Sequence, residues 1–277
     1  MLNLILRICF WCSRYATIQS FFTRVIRQLQ YLQGIGAGAP TGRSGERVLI
    51  EKLLSGHSNK LVIFDVGANV GQFSNLLLDA LGQQPLEIHA FEPSQLAFDA
   101  LRASFETCPQ VRLNHLALGS SKHKAPLYSD KEGSTMSSLY QRRIVGSGTV
   151  FTPSETIDVE SLDDYCSLHG ITHIDLLKLD VEGHELEVLR GGYRMLAGGN
   201  ISRVTFEFGG THIDSRVFLR DFFELFEELG QFQMARITPT GYLLPLPAYH
   251  ESLEQYQTAN YLVEFACGIK HRAPASQ

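Results

Sequence analysis

Apolar positions in the first 33 residues recur every three or four places: Leu4, Ile8, Trp11, Tyr15, Ile18, Phe22, Ile26 and Leu29. Neither Pro nor Gly occurs before Gly34, so the spacing predicts one amphipathic helix over 1–33. The stretch Gly34-Ile-Gly-Ala-Gly-Ala-Pro40 then predicts a flexible boundary. From residue 60 the pattern changes. Apolar runs at 61–64, 86–91, 111–116, 174–179, 201–208, 232–237 and 261–267 predict buried strands, and helical spacing fills 72–81, 95–105, 185–196 and 217–229. Ser94 stands where it can cap the second of these helices.

Strand and helix alternate, which predicts βαβ units and right-handed crossovers. The expected fold is α/β and Rossmann-like, a mostly parallel sheet with helices on both faces. The rhythm breaks between 119 and 160, a segment rich in Ser, Gly and Thr with short strand-like pieces at 125–128, 138–140 and 156–159. It reads as an inserted β flap, since long irregular insertions in compact domains often serve as lids or binding loops. The predicted organisation is a leader and linker over 1–40 and one domain over 41–277. No repeat of 20–50 residues is visible.

Composition narrows the class without naming a chemistry. The 277 residues are 44% hydrophobic and 19% charged, which excludes a disordered chain. Net charge is −5, which speaks against a nucleic-acid partner. That average hides an asymmetry. Residues 1–50 hold six Arg against Glu46 alone, and the remainder holds 18 basic against 28 acidic residues. A basic leader therefore precedes an acidic body. Arg7 and Arg14 keep the leader's apolar runs below the roughly 18 residues that a bilayer span needs. Two readings remain open: a helix packed on the body or on a partner subunit, or an interfacial membrane helix.

Five Cys (Cys9, Cys12, Cys108, Cys166 and Cys267) are scattered and odd in number, which suits a reducing cytoplasm rather than a disulfide framework. Cys9 and Cys12 have redox or zinc spacing, but they lack a preceding strand and further ligands, so they read as small apolar helix residues.

Candidate chemistry gathers at predicted strand ends. The first strand ends in Asp65, then Gly67, Asn69 and Gly71 line a tight turn into a helix. Small residues let a ligand approach the backbone closely. In open α/β sheets, ligands lie beyond the carboxyl ends of the strands. A dinucleotide prefers G-x-G-x-x-G. The spacing here, with an acid two places before Gly67, fits S-adenosylmethionine better, because this cofactor has no phosphate and a cationic amino-acid tail.

Glu92 ends the second strand and can accept ribose hydroxyls. Asp180, Glu182 and His184 follow the strand at 174–179 and reach the same edge. They are the candidate catalytic residues, able to position or deprotonate a hydroxyl. The same set could bind a divalent cation. His184 could instead cap the next helix, with Glu185 and Glu187 in its solvated first turn. Glu207 ends a further strand, either lining an acceptor pocket or facing outward.

These segments resemble the FkbM-type methyltransferases. The matching stretches are FDVGANVGQFS (64–74), AFEPS (90–94), SSL (137–139), VESLDDY (159–165) and IDLLKLDVEGHELEVL (174–189), in family order. The resemblance implies a seven-stranded methyltransferase sheet, S-adenosylmethionine, and O-methylation of a sugar or natural-product hydroxyl. It places Asp65, Gly67, Asn69, Gly71 and Glu92 on the cofactor site, and Asp180 where methyl group and acceptor meet. An acid often follows the position of Gly119, where this chain has Ser120 and Ser121. The rival readings are an NAD-dependent oxidoreductase and a non-catalytic partner subunit that keeps the cofactor fold.

Overall fold

The structure, a computed structural model, describes residues 11, 13–38, 45–54, 59–131, 134, 136–146 and 148–265. Cys9 and Cys12, the pair with redox or zinc spacing, and Cys267 lie outside them. The helices are α1 (Ala16–Leu32), α2 (Glu46–Leu54), α3 (Gln72–Leu81), α4 (Gln95–Phe105), α5 (Leu162–His169), α6 (Glu185–Gly191), α7 (Tyr193–Ala197), α8 (Thr211–Ser215) and α9 (Leu219–Leu229). The strands are β1 (Leu61–Val66), β2 (Leu86–Phe91), β3 (Val111–Asn114), β4 (Ala117–Gly119), β5 (His123–Ser129), β6 (Arg143–Ile144), β7 (Thr149–Val150), β8 (Thr152–Ser161), β9 (Leu176–Leu179), β10 (Arg203–Phe208), β11 (Phe232–Ile237), β12 (Leu243–Leu246) and β13 (Ala259–Phe265).

The main sheet runs β12-β11-β13-β10-β9-β1-β2-β3. Five strands from β10 to β3 pair in parallel, and β13 inserts antiparallel to β10 and β11. This is the expected Rossmann-like methyltransferase sheet with an eighth strand added at one edge. The extra strand, β12, contains Pro245, which a central strand would not tolerate but an edge strand does.

Alternation along the central strands sorts side chains into two cores. Phe64 and Val66 of β1 join Leu177 and Leu179 of β9 against α5, α6 and α9. Leu61 and Ile63 join Leu176 against α2, α3 and α4. Both faces are thus covered, which is why these strands read as continuous apolar runs. Phe206 anchors the first core, stacking on Phe222 at 4.4 Å between ring centroids and on Tyr261 at 5.3 Å.

The inserted flap contains real sheet. β5 and β8 pair antiparallel, and β4 adds in parallel to β8. A small hairpin, β6–β7, projects from the flap. Helix α5, which follows the flap, was not predicted; Ser161 caps it by accepting the Asp164 N–H.

Two expected features differ. The helix predicted over 185–196 is two helices, broken at Gly191 and Gly192. Any Cβ at Gly191 would lie 1.9 Å from the Gly119 carbonyl oxygen, so β4 approaches too closely for a side chain. The boundary after α1 is also not a free tether. Ile35 and Ala37 are buried, and the N–H groups of Gly36 and Gly38 donate to the Thr258 carbonyl.

Phe206→Ala should cost about 3–5 kcal/mol, the usual range for a large aromatic lost from a core. Urea unfolding would register it as a lowered midpoint at an unchanged slope.

Candidate functional site

The carboxyl ends of β1, β2 and β9 open onto two adjoining cavities. The first, of about 620 Å³, runs along Glu92, Pro93, Leu118, Leu139 and His184. The second, of about 1840 Å³, is bordered by Gly38, Arg142, Lys178, Glu207 and Tyr256. Gly67, Asn69, Asp180 and Glu182 wall both, so the cavities meet there.

The turn after β1 explains its residue types. Gly67 has φ +81, and a Cβ there would sit 1.9 Å from the Asp180 carbonyl oxygen. Asn69 also adopts a left-handed conformation, which Asn tolerates better than most residues, and its N–H donates to Glu92 Oε2 at 2.9 Å. The other carboxylate oxygen of Glu92 accepts the Ser94 N–H at 2.9 Å. One lone pair on each oxygen is thereby spent on backbone, leaving capacity for hydroxyl donors. Burial pushes the Glu92 carboxyl up to about 7, against the pull of the Ser94 and Asn69 N–H groups. Ser94 is the N-cap of α4, but its hydroxyl makes no capping bond. The first-turn Gln95 N–H is satisfied by Glu155 instead, at 3.0 Å.

Asp65 and Gly71 do not wall either cavity. Gly71 packs against α4, where a Cβ would meet the Phe105 ring at 2.2 Å. Asp65 lies behind the turn, fully buried, and accepts the Ser74 hydroxyl at 2.8 Å. Its neighbour across the β1–β9 register is Lys178. The Lys178 ammonium sits 3.7 Å from Asp65 Oδ1 and 3.2 Å from Asp180 Oδ2, over the Phe73 ring at 5.0 Å. Burial alone would depress this ammonium, yet Asp180 and Asp65 hold it above its ordinary value. Burial raises the Asp65 carboxyl, with Lys178 opposing. Lys178 escaped the sequence reading, although a lone lysine inside the apolar run LLKL was its signal, since a buried charge requires a partner.

On the far wall, Glu182 is a second non-glycine residue in the left-handed region, with φ +52. Backbone strain of this kind clusters at functional sites. Burial, and then Asp180, push its carboxyl to about 8, against the Arg142 guanidinium at 3.1 Å. Arg142 comes from the flap, reaches Asp214 at 3.3 Å, and lies over Phe151. No sequence pattern marked it. Glu207 borders the larger cavity rather than facing outward; burial, followed by Asp180 and Glu182, raises its carboxyl well above the ordinary range.

His184 lies at the start of α6 without a side-chain capping bond. Its Nδ1 pairs with the Tyr140 hydroxyl at 3.0 Å, and its Nε2 is buried with no partner. Burial lowers its pKa, so the ring is neutral at neutral pH. Glu187 is half-buried, but Glu185 is not the solvated residue expected. It is 1% exposed, accepts the Val181 N–H at 3.0 Å, and lies 3.0 Å from His212 Nε2. The contact with α8 explains the burial. Among the described residues, no group of three His, Cys, Asp or Glu is arranged to hold a metal ion.

Residues 65–234 match the Methyltransferase FkbM domain, and the chain belongs to that family. Among curated proteins, the hexuronic acid methyltransferase AglP of Haloferax volcanii is 29% identical over 147 residues, covering 53% of this chain and 56% of that protein. The 31-O-demethyl-FK506 methyltransferase FkbM of Streptomyces tacrolimicus is 30% identical over 165 residues, covering 47% and 58%. The 2-O-methyltransferase NoeI of Sinorhizobium fredii is 26% identical over 144 residues, covering 49% and 58%. The chain thus spans somewhat over half the length of these relatives. A crystal structure of methyltransferase FkbM from Methylobacillus flagellatus superimposes with a TM-score of 0.45 at 13% identity, covering 87% of this chain and 60% of that one.

The Glu185–His212 contact generates a pH-dependent stability. Although burial would raise the Glu185 carboxyl, His212 beside it holds it below its ordinary 4.5. A depressed carboxyl contributes stability above its unfolded pKa and loses it as pH falls through the folded value. Glu185→Gln should therefore cost about 1–3 kcal/mol near neutrality, the usual cost of leaving a buried polar group without its partner. That difference from wild type should shrink as pH drops below about 4.5. Urea melts of both proteins across the acid range would reveal it; a difference that stays constant with pH would refute the assignment.

Proposed function

We propose that this chain is an S-adenosylmethionine-dependent O-methyltransferase whose acceptor is a hydroxyl of a small molecule, sugar or glycan. The observation that carries the reading is the junction of the two cavities at Asp180 and Glu182, with Glu92 lining the smaller one. Family membership and the names of the relatives support the same chemistry.

The residues present suit the cofactor. Glu92 has free acceptor capacity for the ribose hydroxyls. Pro93, Ala97, Leu118 and Leu139 offer an apolar wall for the adenine, and the Gly67–Asn69 turn admits the amino-acid tail. When bound, the cofactor supplies an electrophilic methyl group. Asp65 and Gly71 act from behind, holding the turn against β9 and α4.

The acceptor belongs in the larger cavity. Asp180 stands at its boundary, where a carboxylate can hold the acceptor hydroxyl and take its proton as the oxygen attacks. Lys178 fixes the Asp180 carboxylate from the buried side. Glu182, tied to Arg142, orients the acceptor from the flap. His184 borders the smaller cavity alone, so its role is to shape the cofactor side, with its ring held by Tyr140. Such a transfer gains most from alignment of the reacting groups and exclusion of water.

The first test is equilibrium binding to the full chain. S-adenosylhomocysteine should bind, and its affinity should weaken as pH falls below about 7 and Glu92 protonates. Glu92→Gln should bind more weakly and flatten that pH dependence. Binding of NADH in place of S-adenosylhomocysteine would overturn the reading.

A second prediction concerns the acid at the junction. With labelled methyl donor and a panel of polyol and glycan acceptors, Asp180→Asn should lower transfer by about 10²-fold or more, the usual contribution of an acid–base group. Affinity for S-adenosylhomocysteine should change little.

A further inference from the structure

Helix α1 presents an apolar face that nothing among the described residues buries. Trp11, Tyr15, Phe21, Val25, Ile26, Leu29 and Leu32 fall on one side at 3.6 residues per turn, and no residue of α1 is buried. Phe21 is 58% exposed and Leu32 63%. The opposite face carries Arg24 and Arg27, with Arg14 stacked on the Trp11 and Tyr15 rings just before the helix. No acid occurs between residues 11 and 33.

We propose that α1 is a docking surface for an anionic lipid bilayer. Three observations select this occupant. The first is charge: a helix whose only ionised side chains are guanidiniums, with aromatic and aliphatic residues on the other face, matches negatively charged headgroups over an acyl layer. The second is length and polarity: no described helix is long and apolar enough to cross a membrane, so α1 lies along the surface. The third is attachment. The Gln33 carbonyl accepts from Arg236 at 2.8 Å, Gln30 donates to Gln255 at 3.2 Å, and the Gly36 N–H donates to Thr258. The apolar face is therefore left free while the end of the helix is fixed.

The place of attachment ties the surface to the site. Gly36 and Gly38 border the larger cavity. Gly36 is four residues on from Leu32, a span of at most about 14 Å. A docked α1 thus holds the mouth of that cavity within a short distance of the headgroups. An acceptor carried by the membrane would reach it there.

The test uses the full chain and sedimentation with vesicles of phosphatidylcholine, with or without phosphatidylglycerol. Partitioning should be strong with the anionic vesicles, weak with the neutral ones, and reduced by added salt. Arg24→Gln with Arg27→Gln should weaken binding to anionic vesicles roughly 30-fold, since each cation near such a surface contributes about a factor of five. Phe21→Ser with Leu29→Ser should abolish it. All four side chains are exposed, so circular dichroism and S-adenosylhomocysteine binding should match wild type. Equal partitioning of wild type and either variant would overturn the proposal. So would a lipid-free dimer, seen by sedimentation velocity, that Phe21→Ser with Leu29→Ser converts to monomer.

Discussion

The ammonium of Lys178 is the contact on which the site depends. It is buried in the wall of the larger cavity, where a lone charge would cost several kcal/mol. Its two partners serve different ends of the chemistry. Asp65 belongs to β1 and grips Ser74, the third residue of α3, so it sets the angle at which the turn enters the helix. Asp180 follows β9 and reaches the junction of the two cavities. One cation therefore locks the backbone turn of the proposed cofactor site to the acid of the proposed acceptor site. Because Asp65 and Lys178 are register partners on neighbouring parallel strands, a slip of one residue between β1 and β9 would destroy the arrangement.

The electrostatics around this lock are one-sided. Asp180, Glu182 and Glu207 crowd the larger cavity, and its two cations, Lys178 and Arg142, are each shared between carboxylates. Raised carboxyls at Glu182 and Glu207 are the direct result, since like charges at short range in a poorly solvated cavity resist joint ionisation. Under the function proposed above, such a wall suits a cationic sulfonium and a neutral, hydroxyl-bearing acceptor better than an acceptor that carries its own carboxylate.

Much of the fold was legible because its central strands are buried on both faces. Their side chains must then be apolar throughout, and β1, β2, β9 and β10 announce themselves as runs. The turn at Gly67 and Asn69 was legible for a related reason: close approach to Asp180 leaves room only for particular residues. What the sequence concealed depends on distant contacts. Gly191 reads as an ordinary helix residue until β4 is seen against it. Glu185 looks like a solvated first-turn acid until α8 brings His212 beside it. Arg142 and Tyr140 sit in a flap whose local pattern is irregular, so nothing nearby marked them. Asp65 stands out in the sequence as an acid just before the glycine turn, and its place is behind that turn rather than in the cavity wall.

The uneven charge of the chain follows from the same geometry. Acids at the strand ends shape the cavities and cannot be traded for basic residues without neutralising the site. The arginines of the leader are kept apart from them: α1 joins the body through backbone and amide hydrogen bonds at 30–38, and none of its described arginines pairs with an acid of the body. An Arg-rich helix folded back over the cavities would have been drawn to Asp180 and Glu207 by simple Coulomb attraction. In the structure residues 34–38 are instead anchored against Thr258, with Ile35 and Ala37 buried, which sets the direction in which the chain leaves α1. The net charge of −5 is thus the sum of two regions whose opposite signs the fold must hold apart.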